Sequence, residues 1–407
     1  MTVLRRSAAV LAATAVIGAA TPAMTATAAD DPSPSASTVL PSGLFGRTDP
    51  RYDGVWRQSL ALLAQHTVGV TPASKAVDWL TGQQCANGAY ASFRAEPGAA
   101  CGAKVTVDTN STAAAVQALT ALGGHDDAVG KALTWLKAQR NKDGGWGYTP
   151  GSPSDTNSTA VVVGALAAAG ESPDRATDGL LAKWSLPCGR DGGGALAYQP
   201  DKEGKLAANA DATAAGVLGA LGKGFVAKAG TAPADGHACA DSDPGKALAP
   251  ADVARNGAAY LAEATHGKGY LVSALAGAKA QPDYGNTADA VVAMAAQGSA
   301  EAAKQPYAWL EAHAVPWVEQ SGPAAYAELI FAAHAMGADP RDFGGTDLVA
   351  GLGATGPAPA KAARNTEEKA DEKESSGTGV WWIVGTGLVA GTGIGFLFSG
   401  RRKQRQP

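Results

Sequence analysis

Residues 143–170 read DGGWGYTPGSPSDTNSTAVVVGALAAAG. The second half of that stretch recurs along the chain. Aligned backwards from its terminal glycine, 155–170 has a gap-free partner in DTNSTAAAVQALTALG (108–123), and DYGNTADAVVAMAAQG (283–298) fits the same frame. AANADATAAGVLGALG (207–222) fits with Asn209 in the Asn slot. GPAAYAELIFAAHAMG (322–337) and GVWRQSLALLAQHTVG (54–69) fit by apolar pattern and final glycine. Self-similarity of this kind marks a repeat architecture. Each copy carries helix punctuation. Asp, Thr, Asn or Ser at the start can accept bonds from the orphan N–H groups of a first turn, and the closing glycine suits a left-handed C-cap. The interiors are Ala, Val and Leu with hardly a charge, so these helices are predicted to be buried on every side.

A second, more polar helix is predicted after each glycine. The six are VTPASKAVDWL (70–80), DDAVGKALTWL (126–136), SPDRATDGLLAKW (172–184), PADVARNGAAYL (250–261), AEAAKQPYAWL (300–310) and DPRDFGGTDLVAGL (339–352). Apolar residues at three- and four-residue spacing leave these helices a charged face for water. Six buried helices alternating with six amphipathic ones close most simply as two concentric rings. The expectation is an all-α chain, an (α/α)6 toroid over residues 44–356.

The connections break the symmetry. Inner-to-outer turns are a few residues long, whereas outer-to-inner loops are long, irregular and rich in Gly, aromatics and cysteine. WLTGQQCANGAY (79–90) aligns with WLKAQRNKDGGW (135–146) without a gap, and WSLPCGRDGGG (184–194) follows with one residue dropped. Long loops concentrate function. The face at the inner-helix N-termini, built from loops 82–108, 140–155, 186–208 and 265–283, is therefore the candidate ligand face.

The element Trp-Leu-x-x-Gln-x5-Gly-x-aromatic is near-complete in Trp135, Gln139, Gly144 and Trp146, and in Trp79, Gln83, Gly88 and Tyr90. It resembles the Gln-Trp loop of the α/α-toroid superfamily of squalene/terpene cyclases and protein prenyltransferase β-subunits. The resemblance covers about residues 50–352 and implies that each such loop ties an outer helix to the next inner one. A shorter similarity points to the vitamin B12 carriers of the intrinsic factor and transcobalamin type, whose inner helices begin with Asp-Thr before small apolar residues. Asp108-Thr109 and Asp155-Thr156 match that start, and Asp283-Tyr284 half does. Those carriers close over their ligand with a small C-terminal β-domain, where this chain runs into a stalk.

The likeness to cyclases implies an Asp-x-Asp-Asp acid, and the chain has none. Asp241 and Asp243 lie in a Pro/Gly-rich insertion, and Asp126 and Asp127 open an outer helix, where solvated loop and cap charges account for them. Few aromatics occur in the buried helices, which disfavours a cationic cyclisation. A prenyltransferase-like zinc site would need a set such as His237, Cys239 and Asp241, but Cys239 is wanted for a disulfide. The inner-helix starts carry Asp and Asn where a diphosphate would need Arg or Lys. Glycan cleavage needs two convergent carboxylates; Asp108, Asp155 and Asp283 share one face, although capping accounts for them too. His66 and His334 each stand three residues before the final glycine of the first and last inner helices. Once the ring closes they are neighbours, either a polar or metal-ligating pair or two cations favourably placed at helix C-termini.

Both ends of the chain read as export and tethering signals. Arg5 and Arg6 precede an apolar stretch and Ala-Thr-Ala-Ala (26–29), the pattern of a signal peptide over 1–29. Residues 30–43 are Pro/Ser-rich and expected to be disordered. VWWIVGTGLVAGTGIGFLFS (380–399) carries no charge and has the length of a transmembrane helix. The charged segment 357–379 before it reads as a stalk, and 400–407, with Arg401, Arg402, Lys403 and Arg405, as a basic cytoplasmic tail. Leu352-Gly-Ala-Thr355-Gly356 has the outline of a sortase motif without its proline, for which chance is the simpler source in so Ala/Gly-rich a chain. The four cysteines suit two disulfides, and the local pairing, Cys85–Cys101 with Cys188–Cys239, is the simplest of three. A net charge of −4 without a basic patch argues against nucleic acid.

These features point to an exported, membrane-tethered cell-surface protein whose toroid is a non-catalytic binding module. A corrinoid such as cobalamin is the most concrete ligand, with a separate lid or transporter protein as an implied partner. Tyr90, Trp146, Tyr148, Tyr198 and Tyr284 are expected to offer flat apolar contact at the rim. Asp108, Asn110, Asp155, Asn157, Asn209, Asp283 and Asn286 are expected to orient polar groups. The alternatives are a glycan-acting or other enzyme, and a structural surface protein that binds other proteins.

Overall fold

The computed structural model describes residues 40–232, 236–273 and 280–360. The expected signal peptide, transmembrane segment and basic tail lie outside the described residues, as do most of the Pro/Ser-rich segment, most of the stalk and part of the loop 265–283. Among the described residues no helix is long and apolar enough to cross a membrane.

The described chain is helical apart from two short hairpins. β1 (Tyr90–Ala91) pairs antiparallel with β2 (Val107–Asp108), and β3 (Leu271–Val272) with β4 (Pro282–Asp283). The six repeat helices are α1 (Gly54–Thr67), α3 (Thr109–Leu122), α5 (Thr156–Ala168), α7 (Ala210–Ala220), α9 (Tyr284–Gln297) and α12 (Pro323–Met336). Each is followed by a second helix: α2 (Ser74–Gly82), α4 (Asp126–Ala138), α6 (Arg175–Trp184), α8 (Pro250–Thr265), α10 (Ala300–His313) and α13 (Leu348–Ala354). One helix, α11 (Val315–Ser321), was not expected. It starts where Pro316 removes no N–H that the first turn needs. The last outer helix begins later than its apolar spacing predicts. Phe343 and Thr346 exchange backbone bonds at 3.0 Å and close a turn, with the Phe343 ring buried edge-on to Tyr307.

The repeat helices pack in chain order, α1 on α3, α3 on α5, α5 on α7, α7 on α9 and α9 on α12, and α12 packs back on α1. Helices α2, α4, α8, α10 and α13 each pack on the repeat helix before them, and α6 on α7 and α8. Burial follows the sequence pattern. Helix α3 buries an unbroken run from Ser111 to Leu119, whereas α4 buries only Ala132, Leu133, Trp135 and Leu136. Asp108, Asp155 and Asp283 cap their helices, each accepting through Oδ1 from the backbone N–H of Ser111 (2.6 Å), Ser158 (2.7 Å) and Asn286 (3.1 Å). Gly69, Gly123, Gly170, Gly222, Gly298 and Gly337, the six closing glycines, all have positive φ.

One repeat departs from the expected frame. Helix α7 has 11 residues where α3 has 14, so alignment from the closing glycine starts it two residues early. Asn209 takes the cap slot, its Oδ1 accepting from Ala212 N–H at 2.8 Å, and Asp211 stands where Asn110 and Asn157 stand in their repeats. Both expected disulfides are present, Cys85–Cys101 and Cys188–Cys239. The sortase-like string is folded into the domain. Leu352 lies in the core, and the Thr355 carbonyl accepts from Gly46 N–H at 2.8 Å.

The insertion between α7 and α8 turns inward at its start. Phe225 N–H donates to Gln117 Oε1 of α3 at 3.0 Å, and its ring meets Trp56 of α1 edge-on at 5.4 Å. Lys223 Nζ donates to the Ala296 carbonyl at 3.1 Å, and Gly230 N–H to that of Ala295 at 2.8 Å, both on α9. A β-carbon on Gly164 of α5 would stand 2.7 Å from Gly224 Cα, so a side chain there would block the crossing. Residues 223–230 thus fill part of the space that the repeat helices enclose.

Candidate functional site

One recurrent device joins each long loop to the repeat helix that follows it. Backbone N–H groups of Tyr90, Trp146, Leu196 and Leu271 donate to the hydroxyls of Thr112, Thr159, Thr213 and Thr287, at 2.9, 3.1, 2.9 and 3.0 Å. Each of these buried threonines lies four residues after its helix cap. Threonines directly after a cap reach the next repeat. Thr109 Oγ1 donates to the Gly147 carbonyl at 2.7 Å, and Thr156 Oγ1 to that of Ala197 at 2.6 Å. The Asp-Thr starts are thus accounted for as scaffold, one residue capping and the other bridging repeats. The same bonds gather loops and helix starts on one face.

Two residues expected at the rim are in the core instead. Tyr90 is fully buried and Trp146 is 2% exposed, with Trp146 Nε1–H donating to the Leu136 carbonyl at 2.7 Å. The loop glycines explain this. Gly88 and Gly144 have positive φ, and a β-carbon there would lie 2.2 Å from the Lys131 carbonyl oxygen and 2.7 Å from Ala176 C. The loops press on the backbones of α4 and α6, and the aromatic that follows is driven inward.

The open part of this face is a groove of about 460 Å³ between residues 91–106 and Tyr148. Its loop is closed by Cys85–Cys101 and shaped from within by Arg94. That guanidinium is buried and donates to the carbonyls of Gln84 (2.9 Å), Pro97 (2.7 Å) and Ala99. The lining includes Arg51, Ser92, Phe93, Lys104, Asp108 and Tyr148. Tyr148 is 47% exposed; burial of its inner part, then the Asp108 charge, raises its phenol pKa. Burial pushes the Asp108 carboxyl up to about 6, against the opposing bonds from Ser111 and Ser92. The groove therefore offers a flat phenol face, a carboxyl and two cationic side chains.

The other expected site residues are dispersed. Tyr198 stands half-buried beside Asp155; burial, then that carboxylate, pushes its phenol up to about 12. Tyr284 is stacked between Trp309 and Trp317, with centroids 5.0 and 5.5 Å away. Asn286 Nδ2 donates to Asp283 Oδ2 at 2.8 Å. Asn157 Nδ2 donates to Asp211 Oδ2 at 2.5 Å, while the Oδ1 atoms of Asn110 and Asn157 are buried without a partner. His66 is exposed at the end of α1. His334 on α12 is half-buried, its pKa lowered by burial and then by Lys228. Among the described residues no group of three or more His, Cys, Asp or Glu side chains is arranged to hold a metal ion. His237 Nδ1 lies 2.9 Å from the Ser299 hydroxyl, and Asp241 Oδ1 accepts from Cys188 N–H at 2.9 Å. Both are loop fastenings.

Three carboxylates had no place in the sequence expectations. Asp211 on α7, Asp289 on α9 and Glu328 on α12 interact with one another and with Asp283. Asp289 and Glu328 line a central pocket of about 60 Å³ together with Trp56, Leu60, Phe225 and Phe331. Burial, then repulsion from Asp211 and Asp283, pushes Asp289 up to about 7. Glu328 is pushed well above the carboxylate range by burial and then by Asp289. Both keep some accessible surface because they border a void, but protein surrounds that void and weakens the solvation of charge. The sequence does hold a signal for them. Each is a lone acid in an apolar repeat helix, nine residues ahead of its closing glycine, Gly298 or Gly337.

No protein-family model matches the chain, and no curated protein matches it. Similar solved structures include the ent-copalyl diphosphate synthase from Streptomyces platensis, at 16% identity and a TM-score of 0.46, covering 70% of this chain and 50% of that one. The chain thus spans about half the length of that enzyme. A protein from Actinoplanes is 14% identical with a TM-score of 0.47, covering 73% of this chain and 94% of that one. The type II terpene cyclase MstE from Scytonema is 14% identical with a TM-score of 0.42, covering 66% and 72%. At TM-scores below 0.5 these structures carry no weight for what this chain does.

Proposed function

We propose that the domain is an (α/α)6 toroid that binds a small-molecule ligand at the rim groove, without chemistry of its own. We further infer that an export signal and a C-terminal membrane helix hold it at the outer cell surface. The observation that carries the binding role is the groove. It has about 460 Å³ of space, within the range of small-molecule sites, and sits on a face stapled by a disulfide and by buried threonine bonds. Two disulfides suit an oxidising, extracellular setting. Asp108, Asp155 and Asp283 each commit an oxygen to a helix cap, which favours binding over paired acid and base catalysis.

The ligand class put forward is a corrinoid. Its flat ring can lie on the Tyr148 face, and its amide fringe can meet Asp108, Ser92 and Lys104. The groove is open on one side, so a larger ligand extends beyond it, and a separate lid or transporter protein covers the remainder. The test mixes the full chain with cobalamin at micromolar concentration, desalts, and reads visible absorbance. Retained colour that falls at least about tenfold in Tyr148→Ala, a loss of about 1.4 kcal/mol, supports the proposal. Absence of retained colour excludes a corrinoid.

A further inference from the structure

We propose that the central pocket is a second binding site, for a small organic cation, an ammonium-bearing molecule of a few heavy atoms. It stands apart from the rim groove. Trp56 of α1, Phe331 of α12 and Phe225 of the inward-turning insertion place three aromatic rings around the void. Trp56 and Phe225 hold each other edge-on at 5.4 Å. Aromatic faces attract cations through the ring quadrupole, more strongly where water is excluded.

The polar groups at this centre lack a positive partner. Asp289 and Glu328 border the void with no hydrogen-bond donor and no cation acting on them among the described residues. The charged groups that face them are Asp211 from α7 and Asp283 at the start of α9, both acidic. Helix α1 contributes only Trp56 and Leu60. Next to Asp211, the Asn157 Oδ1 atom is buried and unpaired. Buried polar atoms are rarely left without partners, and each exception needs a reason. The two carboxylates at the void and this amide oxygen are all acceptors, so the missing element is a donor with positive charge.

Size and lining decide which cation. A hard metal ion wants about six or more oxygen ligands. This void is walled mostly by carbon, and no three ligating side chains converge among the described residues. One water needs about 10–15 Å³ of such space, so about 60 Å³ admits roughly four or five heavy atoms. An alkylammonium fits, giving N–H or polarised C–H groups to the carboxyls and its methyl surface to the rings. Protons compete for the same carboxyls, and Asp289 holds its proton up to about pH 7. Cation binding therefore strengthens as pH rises from 5 to 8.

The experiment titrates the full chain with methylammonium and tetramethylammonium chloride, against sodium chloride at equal ionic strength, at pH 5 and pH 8. Tryptophan fluorescence and thermal melts are read together. A saturable change with an alkylammonium at pH 8 is expected, about tenfold or more weaker at pH 5 and absent in Asp289→Asn/Glu328→Gln. Leu60→Phe fills the void and keeps both carboxyls; it is expected to lose binding as well, so the test stands if the double variant does not fold. A response no different from sodium chloride at pH 8, or undiminished binding in either variant, overturns the proposal.

Discussion

Trp146 and Tyr148 are two residues apart in the loop that opens the repeat, and truncating them should have opposite consequences. Trp146 is 2% exposed and Tyr148 is 47% exposed. A buried tryptophan removes about 150–250 Å² from water, roughly 4–6 kcal/mol at about 25 cal/mol per Å². Truncations of large core aromatics cost about 3–5 kcal/mol. Trp146→Ala also leaves the Leu136 carbonyl without its 2.7 Å donor, which adds about 1 kcal/mol. The expected loss is about 4–6 kcal/mol, near 8–12 °C in Tm at roughly 2 °C per kcal/mol for a domain this large. Trp146→Phe keeps most of the area and loses the bond, costing about 1–2 kcal/mol. Tyr148→Ala should stay within about 0.5 kcal/mol of the parent while weakening ligand retention. Thermal and urea unfolding, followed by far-ultraviolet circular dichroism without reductant, measures all three. A cost below about 1 kcal/mol for Trp146→Ala, or a larger cost for Tyr148→Ala, would refute the assignment of scaffold and surface.

Burial raises the Asp108 pKa from 3.8 to about 6, so the native state keeps a proton that the unfolded chain has released between those values. Stability therefore falls as pH rises through that window. Asp108→Asn retains the cap and cannot ionise; melts should match the parent near pH 3.5 and exceed it at pH 8, by up to about 3 kcal/mol. Phe225→Ala should lower stability by roughly 2 kcal/mol and weaken alkylammonium binding, read by the same melts and fluorescence. Replacing Cys188 and Cys239 by serine opens a link across a sequence separation of 51; chain entropy puts the cost at about 4 kcal/mol. An unchanged Tm would mean the insertion is held without the disulfide.

Much of the scaffold was legible because its signals are local. Closing glycines and capping aspartates are fixed by the backbone of one turn: the three aspartates cap as the pattern requires and all six glycines have positive φ, although Gly123, at ψ 166°, lies outside the left-handed helical region. The frame failed at Asn209 because closing-glycine alignment assumes equal lengths, and α7 is shorter. Tyr90 and Trp146 lie in the core and not at the rim, a difference the sequence does not show because a loop aromatic gives no sign of its direction. That direction is set by Gly88 and Gly144 packing on Lys131 and Ala176, in helices further along the chain. Asp289 and Glu328 are hard to read from the sequence because a single acid hardly alters an apolar pattern. Their meaning depends on α9 and α12 being neighbours and on Phe225 arriving from the insertion.

Hydrogen–deuterium exchange of the full chain, with and without cobalamin, tests the rim site most directly. The predicted result is retained cobalamin with slowed exchange confined to residues 91–108 and the loop around Tyr148. Retained cobalamin with no protection in those segments, or no retention at all, would contradict it.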